Sequence, residues 1–233
     1  NLSESLALTP GVLARDRQNQ AQDLQLSVRG FGARSTFGVR GVRLYVDGIP
    51  ATMPDGQGQL SHVDLGSAER VEALRGPFSS LYGNSSGGVM QIFTQQGEGP
   101  PTVTPSAAFG SDGFYRSGLK VTGRRGAMGY TLNASRFSTD GYRVHSAAVR
   151  DLANARFDWK LQNDRELMLV VNHVNARADD PLGLSRAQFE ASARAADVAA
   201  SLFNTRKSVR QSQLGLVYVH PLGGGQQLRA MVY

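Results

Sequence analysis

The chain has no cysteine among its 233 residues, which excludes both a disulfide framework and a thiolate metal site. It also lacks any run of about 18 apolar residues, so it carries no transmembrane helix. That test is silent on membrane strands, because a spanning strand turns only every second side chain to lipid. A dense basic run is missing too. The net charge of +6 and a pI near 10.0 invite a nucleic-acid reading. Arg29, Arg34, Arg40, Arg43, Arg70 and Arg75, however, are scattered singly, a spacing that suits isolated ion pairs and a polar lumen better than a phosphate-tracking face. No nucleic-acid partner is expected.

Catalytic sets are absent as well. His62, His145, His173 and His220 are far apart and lack metal-ligand spacing. There is no nucleophile elbow or P-loop, and Gly30-Phe31-Gly32 lacks both the last glycine of a dinucleotide fingerprint and its strand-to-helix context. No enzyme, cofactor or metal site is expected. Asn1 opens on a helical pattern without the charged start and apolar core of a signal peptide, so for an exported protein the leader is expected to have been removed.

What is present centres on Arg70 to Gln96, RVEALRGPFSSLYGNSSGGVMQIFTQQ, which joins two unlike halves. Within it Val71 to Arg75 reads as a strand, Arg75-Gly76-Pro77 as a turn, Phe78 to Tyr82 as one helical turn and Val89 to Thr94 as a second strand. Ahead of it the apolar runs are short. Leu2 to Leu8 is helical, Asp16 to Asp23 a polar loop, and Leu24, Leu26 and Val28 form one face of a half-buried strand. Leu44-Tyr45-Val46 is a strand stopped by Asp47-Gly48, a strong turn signal.

After the GEGPP linker at Gly97 to Pro101, about seven strands alternate apolar and polar residues. They lie near Thr102 to Phe109, Phe114 to Arg124, Met128 to Ser138, Arg150 to Leu161, Glu166 to Arg177, Val209 to His220 and Gln227 to Tyr233. In the fourth, Ala153, Ala155, Phe157, Trp159 and Leu161 alternate with Asn154, Arg156, Asp158 and Lys160. One face suits lipid and the other water, with Trp159 as an interface anchor. On alternation alone, a soluble antiparallel sandwich reads equally well. Connections at Arg125 to Ala127, Asn163-Asp164 and Leu222 to Gln226 are short, whereas Thr139 to Val149 and Ala178 to Ser208 are long. The longest contains a helical pattern from about Ser185 to Asn204, with Ser185 as its cap.

Three ordered motifs, LSVRGFG at Leu26 to Gly32, VRLYVDGIP at Val42 to Pro50 and the Arg70 to Gln96 stretch, resemble the plug-domain signatures of TonB-dependent outer-membrane receptors. The resemblance implies an α+β plug over residues 1–97, a small mixed sheet with short helices, followed over 98–233 by antiparallel transmembrane β-barrel strands. Because such a barrel has about 22 strands, the chain would be an incomplete fragment of one. Neither a TonB box nor a terminal assembly strand is recognisable, and Tyr233 reads as a truncation point.

The resemblance also implies roles. A receptor of this kind takes up a scarce ligand, most often a ferric siderophore, across the outer membrane of a Gram-negative bacterium when TonB and its inner-membrane energising complex act on the plug. Haem, cobalamin and oligosaccharide are the rival cargoes, and a soluble β-rich adhesion or binding domain is the reading from another class. His145 is the candidate residue if the cargo is haem. Ligand contacts fall on two apical loops, Arg34, Ser35, Thr36 and Phe37 in the first, and Thr52, Met53, Asp55 and Gln57 in the second. Arginine and an aromatic ring suit an anionic chelate, although Phe37 reads equally as packing beneath its loop, and Asp55 as a turn residue. The long loop is expected to act as a lid presenting Asp179, Asp180, Arg206 and Lys207, or else as a solvated cap. Arg29 and Arg75 occupy the positions that latch the plug to wall carboxylates, whose bearers would lie outside this sequence.

Overall fold

The structure is a computed structural model and describes residues 2–33, 35, 38–51, 57–58, 60–76, 82 and 87–233. Helix α1 (Leu2–Leu6) buries Leu2 and Leu6, one helical turn apart on a single face. Strands β1 (Val12–Arg15) and β2 (Gln25–Val28) form an antiparallel pair, with Val12 opposite Val28 and Arg15 opposite Gln25. Strand β1 adds to the sequence reading, which has no strand between the helical Leu2 to Leu8 and the polar loop from Asp16. Its alternation is masked because the outward residue Leu13 is apolar and 54% exposed, while Val12 and Ala14 pack on the core.

Strands β3 (Val42–Val46), β4 (Ile49–Pro50), β5 (Ala68–Leu74) and β6 (Gly88–Thr94) make a mixed sheet in the order β4-β3-β6-β5. The central pair, β3 and β6, runs parallel. Both strands are buried and therefore rich in Val, Leu and Ile. Pro50, which cannot donate to a ladder, stands on the edge strand. Asp47 and Gly48 connect β3 to β4 with φ of 53° and 77°, the two positive values of a type I′ hairpin turn. Leu26, Leu44, Met90 and Ile92 lie at the centre of the core, against which α1 and β1 also pack. The helical turn expected over Phe78 to Tyr82 falls outside the described residues except for Tyr82.

The second half is a seven-stranded antiparallel meander in the order β13-β12-β11-β10-β9-β8-β7. Its strands are β7 (Thr102–Phe109), β8 (Tyr115–Arg125), β9 (Met128–Thr139), β10 (Ala148–Lys160), β11 (Glu166–Asp179), β12 (Arg206–Gly223) and β13 (Gln226–Val232). β12 is longer than its alternation suggests. It starts at Arg206, paired with Asp179, and reaches Gly223 through an irregularity at Pro221. One face of this wall meets the first half, which places Thr131, Asn133, Asn154, Arg156 and Asn172 in buried positions. The opposite face exposes Leu119, Val171, Leu214 and Leu216. Alternation thus turns the polar set inward and the apolar set outward, as in a membrane barrel.

The expected helix from Ser185 to Asn204 is two short ones, α2 (Arg186–Ala191) and α3 (Val198–Phe203). Ser185 caps α2 in a capping box with Gln188. Ser192 is extended, and Asp197 opens α3 by accepting from the Ala199 amide. The continuous apolar periodicity misled because its residues are not buried on one stripe: Phe189, Val198, Leu202 and Phe203 are all exposed.

Candidate functional site

The two loops nominated by sequence come together. Val39 and Gly58 form an antiparallel bridge, with Gly58 N donating to Val39 O at 2.7 Å. Gly38 lies between them, so close to the Gln57 amide that a Cβ there would collide with it. Ser35 Oγ donates to the Gly38 carbonyl at 2.9 Å. Ser35 and Gln57 therefore both meet Gly38. Arg34, Thr36, Phe37, Thr52, Met53 and Asp55 lie outside the described residues.

The two long loops of the wall are tied to one another and to the first half. Arg143 in the 140–147 loop donates from Nε to Ala195 O (2.9 Å), from Nη1 to Leu182 O (2.7 Å) and from Nη2 to Pro181 O (3.3 Å). Three carbonyls of the longer loop thus converge on one guanidinium, which joins the two loops into a single cap. His145 Nε2 meets the Thr205 carbonyl at 2.9 Å, so this ring too holds loop to loop. Asp180 accepts from Asn19 Nδ2 at 2.8 Å and from Leu182 N at 3.0 Å. Lys207 Nζ donates to Asp23 at 2.5 Å. Asp180 and Lys207 therefore anchor the 16–23 loop to the wall. Arg206 is exposed, its Nη1 on Asn204 O. Asp179 stands 3.9 Å from Arg177.

Arg29 is exposed at φ 50°, with its backbone N–H on Gly11 O, and Arg75 donates from Nη1 to the Pro10 carbonyl. Neither forms an ion pair among the described residues.

The most buried ion pair between the halves among the described residues is one that sequence reasoning missed. Asp47, read there only as a turn former, carries a side chain with 0% exposure that pairs with Arg156 of β10 at 2.8 Å. Thr94 at the end of β6 donates to the same carboxylate twice, from N at 2.8 Å and from Oγ1 at 2.7 Å. Arg156 uses its remaining N–H groups on the Thr94 carbonyl at 2.8 Å and on both oxygens of Asp158. The guanidinium is thus satisfied on both edges, the condition under which a buried ion pair is tolerated. Below and beside it, Asn133 donates to Asp64 at 2.7 Å, Asn154 to Ser67 at 2.6 Å and Lys120 to Gln95 at 3.2 Å. Apolar contact is added where Ile49 packs against Val170 and Val217. The available signal was the alternation of β10, which placed Arg156 and Asp158 on the inner face without naming their partner.

A cavity of about 680 Å³ lies between the halves, bounded by α1, the 16–24 and 60–66 segments and the inner faces of β8 to β12. Deep in the same region of the plug half, His62 is 2% exposed and neither ring nitrogen has a hydrogen-bond partner. Burial holds its pKa below the ordinary histidine value, because the charged ring would lose its hydration.

Comparison with known proteins agrees with this architecture. Residues 1–89 match the family described as the TonB-dependent Receptor Plug Domain. A vitamin B12 transporter of Photobacterium profundum is 29% identical over 209 residues, which is 82% of this chain and 33% of the relative. A metal-pseudopaline receptor of Pseudomonas aeruginosa is 30% identical over 125 residues, 52% of this chain and 18% of the relative. Among solved structures, the ferric citrate transporter FecA in its unliganded form aligns with a TM-score of 0.76 at 21% identity, covering 97% of this chain and 36% of that one. The chain therefore spans about a third of the length of these two transporters.

Proposed function

We propose that the chain, whose residues 1–89 match the TonB-dependent receptor plug domain, forms the plug and part of the wall of a ferric-siderophore importer of the TonB-dependent receptor family in the Gram-negative outer membrane. Residues 1–97 act as the plug, and 98–233 as wall strands carrying an outer loop over 178–208. The observation that carries the reading is the buried Asp47–Arg156 contact. It holds the plug to the wall mainly through polar groups, with a small apolar contact at Ile49, so the plug can be withdrawn without tearing a large apolar core. TonB supplies the pull from the periplasmic side. The apical segments bearing Arg34, Ser35, Thr36 and Phe37, and Thr52, Met53, Asp55 and Gln57, receive the cargo, with Asp179, Asp180 and Arg206 as a weaker outer contribution. Arg29 and Arg75 latch the plug to wall residues outside this chain. No step of this reading is catalytic.

Cobalamin is the second reading, favoured by the relative with 82% coverage, a vitamin B12 transporter. Uptake separates the two. The full-length receptor is expressed in a strain stripped of its own receptors, with and without TonB, and supplied with radioactive iron as ferric citrate or ferric hydroxamate, or with labelled cyanocobalamin. TonB-dependent accumulation of iron is expected. Accumulation of cyanocobalamin alone, or of iron irrespective of TonB, would overturn the proposal.

A further inference from the structure

Ten residues of β12 separate Tyr218 from Ser208 on the face of the wall that exposes Val171, Leu214 and Leu216. At about 3.3 Å per residue and a strand tilt of about 40°, that stretch climbs about 25 Å, the height of the apolar band of an outer-membrane barrel. Tyr218, in register with Leu167 and through it with Trp159, marks one rim of the band with aromatic rings. Ser208 then stands at the opposite rim, on the side of the long loops.

Three arginines surround Ser208 there. Arg177 of β11 lies directly opposite it, and Arg206 and Arg210 flank it two residues away on β12. All three share the outward face, with each flanking residue about 7–8 Å diagonally from Arg177. Arg210 is exposed and has neither a hydrogen bond nor an ion pair among the described residues. Arg206 is exposed and spends one nitrogen on the Asn204 carbonyl. Arg177, 60% exposed, has only Asp179 near it, at 3.9 Å. Arg136, further along the same face on β9, is by contrast neutralised by Asp151 at 3.3 Å. One carboxylate among three guanidinium groups leaves this corner of the wall positive.

An arginine on a lipid-facing strand is costly at the middle of the band and tolerated at its rim, and its planar fork of N–H donors matches the oxygens of a phosphate. We infer that Arg177, Arg206 and Arg210 form a clamp for the phosphate monoester of an outer-leaflet lipid. The charge of the clamp selects the headgroup, and the strip of Val171, Leu214 and Leu216 beneath it receives the acyl chains, so the occupant is a lipid and not a free anion. The inference rests on the outer-membrane reading of the wall and adds a lipid partner to it.

Native mass spectrometry of the full-length receptor in detergent, with phosphatidic acid as the probe, counts the lipid retained. Retention should exceed that of phosphatidylcholine, whose phosphate is a diester capped by a cation. The triple variant Arg177→Gln, Arg206→Gln, Arg210→Gln should weaken it about tenfold, the summed effect of three partly solvated charge contacts. Lysine at the same three positions should keep part of it. Arg186→Gln, whose native guanidinium pairs with Glu190 on α2, should bind as the native protein does. Arg210→Gln alone, with a loss of about twofold, serves where the triple variant fails to assemble. Equal retention of the two lipids, retention unchanged in the glutamine variants, or displacement of phosphatidic acid by inorganic phosphate at equal concentration would overturn the clamp. TonB-dependent iron uptake by a receptor that retains no phosphatidic acid refutes the clamp alone, whereas TonB-independent uptake with retention intact refutes the import reading alone.

Discussion

Replacing Arg156 with alanine perturbs the plug at its most buried polar contact. The substitution leaves the Asp47 carboxylate with no counter-ion at 0% exposure. Removing one partner of a buried pair costs about 3–5 kcal/mol. The two donors of Thr94 remain in place and keep the carboxylate partly solvated, which puts the loss near the lower end, about 3 kcal/mol. A loss of that size accelerates opening by on the order of 100-fold. Amide hydrogen exchange of the full-length receptor in detergent reads it directly, because Thr94 N–H donates to Asp47 and strand β6 should open with it. Adding Asp47→Asn to Arg156→Ala removes the orphaned charge and should restore part of the protection, a coupling that a double-mutant cycle isolates. Unchanged protection at Thr94 in Arg156→Ala would refute the reasoning, since a buried carboxylate cannot lose its only cation at no cost.

Gly97 lies where the two halves join, and a Cβ there would collide with the backbone of Tyr130 and Gly123. Gly97→Ala should destabilise the assembled form by about 1–3 kcal/mol, seen as a lower yield of the heat-modifiable folded band. Arg143→Ala removes the three hydrogen bonds that hold the long loop, so exchange and proteolysis should rise across 180–205 while the wall strands stay protected. His62 sets a pH dependence. Its folded pKa is lowered by burial, so the unfolded chain takes up the proton first. Stability should be intact above the unfolded value of about 6.5 and should fall as pH drops through it toward the lowered folded value. His62→Phe, which also removes the two unpartnered nitrogens, should abolish that fall in acid titrations of plug unfolding.

The wall was largely legible because alternation at period two reports directly on which face is wet. Asn154 and Arg156 are buried on the inner face, and Ala153 is exposed on the outer one, as their alternation required. Where alternation is broken by an apolar outward residue, as by Leu13 in β1, the strand was invisible. Helical spacing failed in the 180–205 loop for the converse reason. Phe189, Val198 and Leu202 repeat at the right interval, but no neighbouring surface buries them, and the chain breaks at Ser192. The apical residues could be nominated but not joined from sequence, since the bridge from Val39 to Gly58 is a tertiary contact. Asp47 shows the limit most clearly. Asp-Gly is a sufficient local signal for a turn, and nothing local marks an aspartate whose carboxylate also serves a strand more than a hundred residues away.

The account stands on the first part of the chain being seated against the polar face of the later strands, and crosslinking tests this most directly. These 233 residues contain no cysteine, so Ser67→Cys with Asn154→Cys adds two thiols to this part of the receptor, at positions whose side chains are 2.6 Å apart. Oxidation of the full-length receptor in native outer membranes should give an efficient intramolecular disulfide or short bis-thiol crosslink, and Ser67→Cys with Arg136→Cys, on the outer face, should give none. No crosslink at 67 and 154, or equal crosslinking for both pairs, would contradict it.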